Sequence, residues 1–316
     1  MEYREAAELL LRQNDILILT HKRPDGDTIG CAVGLCQALR EQGKTAWVLP
    51  NEDATTLFTP YLEGYLAPEE FQPAFVVSVD IAGKGLFTPA GEVWLKRGID
   101  LAFDHHPSQE YFAKETCLDA GRAACGELIY DLICQWGPVS PAAALPLYVA
   151  VATDTGCFQY SNTTPATHRV AADLMETGID AQKANKLHFR TKSLKRLKLE
   201  SLIVDTMDLR DDGAIAIAAI SLADMARLEA DERDAEDIAA FVGQLEGVHT
   251  SVTIRELKDG ACKLSVRTDE TLNATKVCAL LGGGGHAAAA GCTVPGTVEE
   301  AKAAIMDAIR KVQADA

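Results

Sequence analysis

Ile16-Leu17-Ile18-Leu19-Thr20-His21-Lys22-Arg23-Pro24-Asp25-Gly26-Asp27-Thr28-Ile29-Gly30 decides how this chain is read. Its first residues form a short apolar run rich in β-branched side chains, the pattern of a strand buried on both faces of a parallel sheet. The run breaks at Pro24 and Gly26, and a helical pattern follows over residues 31–42. His21, Asp25 and Asp27 are thereby expected on the loop leaving the carboxyl end of a strand, where open α/β sheets bind ligands. One imidazole and two carboxylates within seven residues suit a hard divalent cation with nitrogen and oxygen ligands. The same residues also read as a capped helix start with solvated acids, and this stretch alone does not separate the two.

Outward from it, the strand–helix alternation repeats. A helix is expected over residues 3–13, and strands over 15–20, 45–49, 75–79 and 101–103, the last two ending at Asp80 and Asp104. Helices follow over 126–135 and 142–153, the second running into Asp154-Thr155-Gly156, and a helix over 168–178 closes this region. The order predicts an α/β fold with a doubly wound, mainly parallel sheet in residues 1–182. Residues 183–204, rich in Lys and Arg, read as a helical connector to a smaller α/β C-terminal domain, 205–316. That domain is expected to hold strands over 214–220 and 292–294 and a hairpin of 250–256 with 261–267 around Asp259-Gly260. Ser221 is its expected N-cap, and helices are expected over 235–245, 275–280 and 298–312. The active site is expected in the cleft between the domains.

The 316 residues suffice for two cores, and 47% hydrophobic with 24% charged residues is ordinary for a globular protein. No run has the length of an apolar membrane span, and Met1-Glu2-Tyr3-Arg4-Glu5 lacks the order of a signal peptide. A cytoplasmic protein without a membrane partner is the expectation. The nine cysteines include no CxxC pair, so they read as reduced, mostly buried residues rather than disulfides or a zinc site. The net charge of −16 opposes a long polyanion over most of the surface. A phosphate-bearing substrate should therefore be small and held by a few local cations.

Beyond the opening stretch, three more places carry candidate ligands. Asp80 ends a strongly apolar strand, and as a lone acid it reads first as a helix cap. Asp104-His105-His106-Pro107 lies at another strand end, where neighbouring side chains point different ways. Asp154 follows an apolar helix whose negative dipole end disfavours a carboxylate. Jointly, His21, Asp25, Asp27, Asp80, His105 and Asp154 fall at one edge of one expected sheet. So many carboxylates together raise each other's pKa and cost stability unless cations intervene. Two divalent ions resolve the conflict and are the common device for in-line phosphoryl displacement. Asp80, as the central carboxylate, is the natural bridge. In the second domain, Gly282-Gly283-Gly284-Gly285-His286 could cradle an anion with backbone N–H groups, with a helix N-terminus expected beyond it. Arg267 could clamp a phosphate through two N–H groups.

These segments resemble the DHH phosphoesterase superfamily. The match runs through His21-Lys22-Arg23-Pro24-Asp25-Gly26-Asp27, Val79-Asp80, Asp104-His105-His106 and Thr153-Asp154-Thr155-Gly156. The second domain looks like the DHH-associated C-terminal domain through Ser265-Val266-Arg267 and the GGGGH segment. The size is similar to the nanoRNase/pAp-phosphatase (NrnA-like) group. The resemblance implies a metal-dependent hydrolase that cleaves short oligoribonucleotides (2–5 nt) to mononucleotides and takes the 3′-phosphate from 3′-phosphoadenosine 5′-phosphate (pAp). It implies two ions, manganese first, with magnesium or cobalt as alternatives. One would be held by His21, Asp25 and Asp80, the other by Asp27, Asp80, His105 and Asp154. Asp104 would orient one of the metal ligands from behind, and His106 would face the scissile phosphate or the leaving oxygen. Arg267, Gly283, Gly284, Gly285 and His286 would hold the substrate's terminal phosphate. A serine is frequent in relatives where Thr268 stands, a mild departure that keeps the hydroxyl.

Three rival readings share the ligand set: a RecJ-like single-strand exonuclease, a linear or cyclic dinucleotide phosphodiesterase, and a catalytically silent nucleotide sensor. A homodimer is expected on general grounds alone.

Overall fold

The computed structural model describes residues 1–231, 234–235, 238–269 and 271–314; of His286 only the backbone is described. The chain divides into two compact units, Met1–Thr191 and Lys192–Ala316.

The first unit runs α1 (Tyr3–Leu11), β1 (Ile16–Leu19), α2 (Gly26–Glu41), β2 (Ala46–Val48), α3 (Thr59–Leu62), β3 (Phe75–Val79), α4 (Pro89–Arg97), β4 (Leu101–Asp104), β5 (Glu115–Leu118), α5 (Cys125–Cys134), α6 (Pro141–Asp154), α7 (Pro165–Glu176) and α8 (Ala181–Phe189). Its five strands are all parallel, in the order β2-β1-β3-β4-β5. The strand order reverses between β1 and β3, and the crevice at their carboxyl ends is the ligand position of such sheets. Side chains along β1 alternate between two cores. Ile16 and Ile18 pack into the larger one with α1, α2, α5 and α6, while Leu17 and Leu19 join Ile81, Phe87 and Ile99 on the opposite face. Every residue of β1, β3 and β4 is buried, as their unbroken apolar runs require.

Three local expectations differ. Helix α2 begins at Gly26 rather than residue 31, because the Asp25 carboxylate caps it, accepting from the N–H groups of Asp27 (3.1 Å) and Thr28 (3.2 Å). Asp27 therefore lies in the first helical turn and not on the loop. Helix α4 and the half-exposed edge strand β5 were not anticipated; β5 is too polar to register as an apolar run. Residues 183–204 are two helices rather than one connector: Ala184 of α8 is in the first unit's core, whereas the next helix belongs to the second unit.

That unit continues α9 (Leu194–Thr206), β6 (Asp208–Arg210), β7 (Ile215–Ile220), α10 (Leu222–Arg227), α11 (Ile238–Val242), β8 (Thr250–Glu256), β9 (Ala261–Thr268), α12 (Ala274–Ala279), β10 (Gly284–His286), β11 (Ala289–Pro295) and α13 (Val298–Ala314). Its sheet is mixed, ordered β10-β11-β9-β8-β7-β6, with only β7 and β8 parallel. Leu199 and Ile203 of α9 pack with α11 on one face, while Val277, Ile305 and Ile309 of α12 and α13 cover the other. Ser221 caps α10 in a reciprocal box with Asp224. Of the helix expected over 235–245, α11 covers 238–242; residues 235 and 243–245 are turn or bend, and residues 236 and 237 lie outside the described set. Among the described residues, no helix is long and apolar enough to cross a membrane.

Candidate metal centre

Close helix packing assembles the site. Helix α6 is apolar all round and buried nearly throughout, so it packs inside the unit, against α2, α5, α7 and α8. A Cβ on Gly30 would lie 2.2 Å from the Pro146 carbonyl oxygen, and one on Gly26 would lie 2.2 Å from Thr153 Oγ1. Only glycine at these positions lets the end of α6 reach the start of α2. Asp154 is thereby carried beside Asp27. Thr28 Oγ1 in turn donates to the Val79 carbonyl at 3.0 Å, joining α2 to the end of β3.

Asp80 is at the centre. It is 3% exposed and has φ of +58°, a left-handed conformation that non-glycine residues adopt at a cost. Its Oδ2 lies 3.6 Å from His21 Nε2, and its Oδ1 lies 3.5 Å from His105 Nε2. His21 Nε2 is also 3.5 Å from Asp25 Oδ1. His105 Nε2 is 3.6 Å from Asp154 Oδ2 and 3.8 Å from Asp27 Oδ2. Donor atoms of His21, Asp25 and Asp80 thus form one compact group, those of Asp27, His105 and Asp154 a second, and Asp80, His105 and His106 a third that joins them.

The histidine rings are held by their other edge. His21 Nδ1 is 2.9 Å from the Lys22 carbonyl and His105 Nδ1 is 3.2 Å from the Arg122 carbonyl. A carbonyl only accepts, so in each ring Nδ1 carries the proton and Nε2 is turned toward the carboxylates. Asp27 is held by the N-terminus of α5, its Oδ2 accepting from the Cys125 N–H at 2.7 Å and its Oδ1 from the Gly126 N–H at 2.9 Å. Asp104, fully buried, accepts at Oδ1 from the N–H groups of His105 (2.8 Å) and His106 (3.2 Å) and pairs with His106 Nδ1 at 2.8 Å.

The electrostatics show a charge deficit. Burial first, then the neighbouring Asp80 charge, pushes Asp27 up to about 8. Burial and Asp25 push Asp80 up to about 6, and burial with Asp27 and Asp80 pushes Asp154 up to about 9. Burial opposes a charged His21, but hydrogen bonds to Asp25 and Asp80 outweigh it and raise the imidazole to about 11. His106 rises to about 9 for the same reason, through Asp104 and Asp80. Asp25 moves the other way: burial opposes its charge, but the hydrogen bond with His21 holds it below the usual carboxylate range.

Two observations test whether cations fit here. Asp80 Oδ1 and His105 Nε2 are both buried without a hydrogen-bond partner among the described residues. They lie 3.5 Å apart, too far for a good hydrogen bond and suited to two donors around a shared ion. The donor set of carboxylate oxygens and imidazole nitrogens matches hard or borderline divalent ions.

In the second unit, Arg267 is on β9, half-buried. Residues His286, Ala289 and Arg267 are in register across β10, β11 and β9. The helix N-terminus expected beyond the glycine run is absent: Gly282 follows the C-terminus of α12, and Gly284–His286 is an edge strand. A Cβ on Gly283 would meet the Gly291 carbonyl oxygen at 2.2 Å, so close strand approach accounts for that glycine. The His286 side chain lies outside the described set.

Sequence reading missed the groups that hold the candidate ligands. Among them are the Arg122 carbonyl, the Cys125 and Gly126 N–H groups, and Asn162, whose Nδ2 donates to the carbonyls of Ala123 (3.0 Å) and Asp154 (3.1 Å). Backbone groups leave no side-chain signature. Asn162 reads as an ordinary turn residue.

Comparison with known proteins agrees with this geometry. Residues 15–179 match the DHH family N-terminal domain and residues 212–315 the DHHA1 domain. The chain is 32% identical to the bifunctional oligoribonuclease and PAP phosphatase NrnA of Thermus thermophilus, over 95% of this chain and 90% of that one. An exopolyphosphatase-related protein from Bacteroides fragilis shares the fold at a TM-score of 0.90 and 24% identity, covering 99% and 96% of the two chains. RecJ of Thermus thermophilus in complex with Mn2+ shares it at 0.54 and 16% identity, over 99% of this chain and 55% of RecJ. From its ligand-rich sheet edge, its two matched domains and its full-length relative, the chain belongs to the DHH family of phosphoesterases, in the NrnA-like group.

Proposed function

We propose that this phosphoesterase hydrolyses short oligoribonucleotides to mononucleotides and pAp to AMP and phosphate, as the name of its Thermus thermophilus relative describes for that protein. The observation that carries the reading is Asp80, whose two oxygens face His21 on one side and His105 on the other. His21, Asp25 and Asp80 would hold one divalent ion, and Asp27, Asp80, His105 and Asp154 the second, with manganese the favoured metal. When bound, such a pair supplies an activated water and neutralises charge on the phosphoryl group.

The chain's own groups do the rest. The carbonyls of Lys22 and Arg122 keep His21 and His105 in the tautomer that presents Nε2. Asp104 holds the Nδ1 edge of His106, so the ring's far edge is set to donate to a phosphoryl or leaving oxygen. Arg267 and the backbone of residues 283–286 are the proposed anchor for the substrate's terminal phosphate.

The test is release of phosphate and mononucleotides from pAp, di- to pentaribonucleotides, short DNA and cyclic dinucleotides, with manganese, magnesium or cobalt. Turnover of pAp and of the short RNAs is expected. Binding of pAp with no product from any substrate would make the chain a sensor and end this reading.

A further inference from the structure

Gln109 is buried, 6% exposed, on the loop after β4. Its Nε2 donates to Asp104 Oδ2 at 2.6 Å and to the Ile81 carbonyl at 2.9 Å, and its Oε1 accepts from the Tyr111 N–H at 3.1 Å. A buried amide is costly unless it is bonded in this way. Its two donor partners are informative. Asp104 directs Oδ1 at His106 Nδ1. Ile81 directly follows Asp80, whose backbone is in the left-handed region. One amide therefore joins the end of β3 to the end of β4, where the central carboxylate and the histidine-orienting carboxylate sit.

Loop closure alone does not explain the amide. The Glu110 N–H already donates to the Ala82 carbonyl at 2.9 Å, and Glu110 Oε2 accepts from the Lys84 N–H at 2.9 Å. These bonds tie the same loop to the segment after β3 without Gln109.

We infer that Gln109 is a positioning residue for phosphoester hydrolysis: it fixes the rotation of the Asp104 carboxylate that orients His106. The inference rests on the hydrolytic reading above. Without the Nε2 donor, the second oxygen of a fully buried carboxylate has lost its partner. The carboxylate then turns, and its lone pair leaves the line to His106 Nδ1.

Gln109→Met keeps the side chain's length and removes both donors. Its kcat on pAp and on a diribonucleotide should fall ~10–100-fold, the usual scale for an outer hydrogen-bonding partner. KM should stay within about threefold and bound manganese should match wild type, because the binding groups are untouched. In an Asp104→Asn background the same change should cost nothing further, since both act through one carboxylate. The ring 15N signals of His106 should shift in Gln109→Met, a readout that needs no turnover. Unchanged ring signals, a kcat within about twofold of wild type, or losses that multiply in the double variant would each overturn the inference. So would a loss that tracks reduced manganese binding. Gln109→Leu, which also lacks the donor, carries the same comparisons if the methionine variant does not fold. A wild-type protein inactive on every substrate would defeat the hydrolytic reading, and the ring signals would still decide for or against Gln109.

Discussion

Asp80 meets two demands that usually exclude each other. It is a carboxylate in a dry, acidic place, and its backbone is in a conformation that costs about 1–3 kcal/mol for most residues. Asparagine tolerates that backbone well and carries no charge. Asp80→Asn should therefore raise the melting temperature of the metal-free chain while lowering turnover by more than ~100-fold, beyond the loss of an outer partner. Manganese titration should show fewer ions bound per chain. A variant with full turnover would remove Asp80 from the site. At this scale the candidate ligands were legible because each is an acid or imidazole near the end of an apolar strand or helix or at the start of the helix that follows. Gln109 was not: a glutamine after Pro107-Ser108 reads as a solvated loop residue, and only the folded chain shows where its amide is spent.

Among the elements, the crossing of α2 and α6 decides whether the two halves of the acid cluster meet. A methyl group at residue 26 would lie within 2.2–2.8 Å of the Thr153 side chain. Gly26→Ala should cost about 1–3 kcal/mol in urea denaturation, as overpacking does, and should weaken manganese binding by displacing Asp154. Unchanged stability and binding would show that α6 is not held by this contact. The sequence signalled both helices and even the glycine, but not that the glycine faced Thr153. In the second unit one part of the reading of the glycine run failed: no helix begins beyond it, because the chain uses the run to leave α12 and enter an edge strand. Glycine marks close backbone approach without saying what approaches.

For the molecule as a whole, charge governs two further outcomes. Asp27, Asp80 and Asp154 hold protons in the folded state at pH values where the unfolded chain has released them. Their stabilising effect is complete below the ordinary carboxylate range and is lost as pH rises through about 6, 8 and 9. The raised His21 and His106 act with the same sign, and the lowered Asp25 with the opposite one. Chelator-treated protein should therefore melt at progressively lower temperature from about pH 5 to about pH 9. Excess manganese should remove most of that decline, because it binds the deprotonated groups. A metal-free melting temperature that is flat or rising over this range would contradict the charge deficit. The net charge of −16 bears on substrate length. A diribonucleotide should turn over faster than a 24-mer RNA, and added salt should narrow the gap by screening repulsion. Faster turnover of the 24-mer would end the length argument.

The linear order of residues by itself determined four of the five strands of the first unit's parallel sheet, the strand ends near which candidate ligands lie, and the identity of the acids and imidazoles gathered there. Apolar runs and their breaks are local properties, and local rules decode them. Only the tertiary structure decided which oxygen of Asp80 faces which histidine, which carbonyl fixes each ring, and that one glutamine joins two strand ends. Those choices depend on hydrogen bonds between residues distant in the chain, whose directions exist only once the helices and strands have packed.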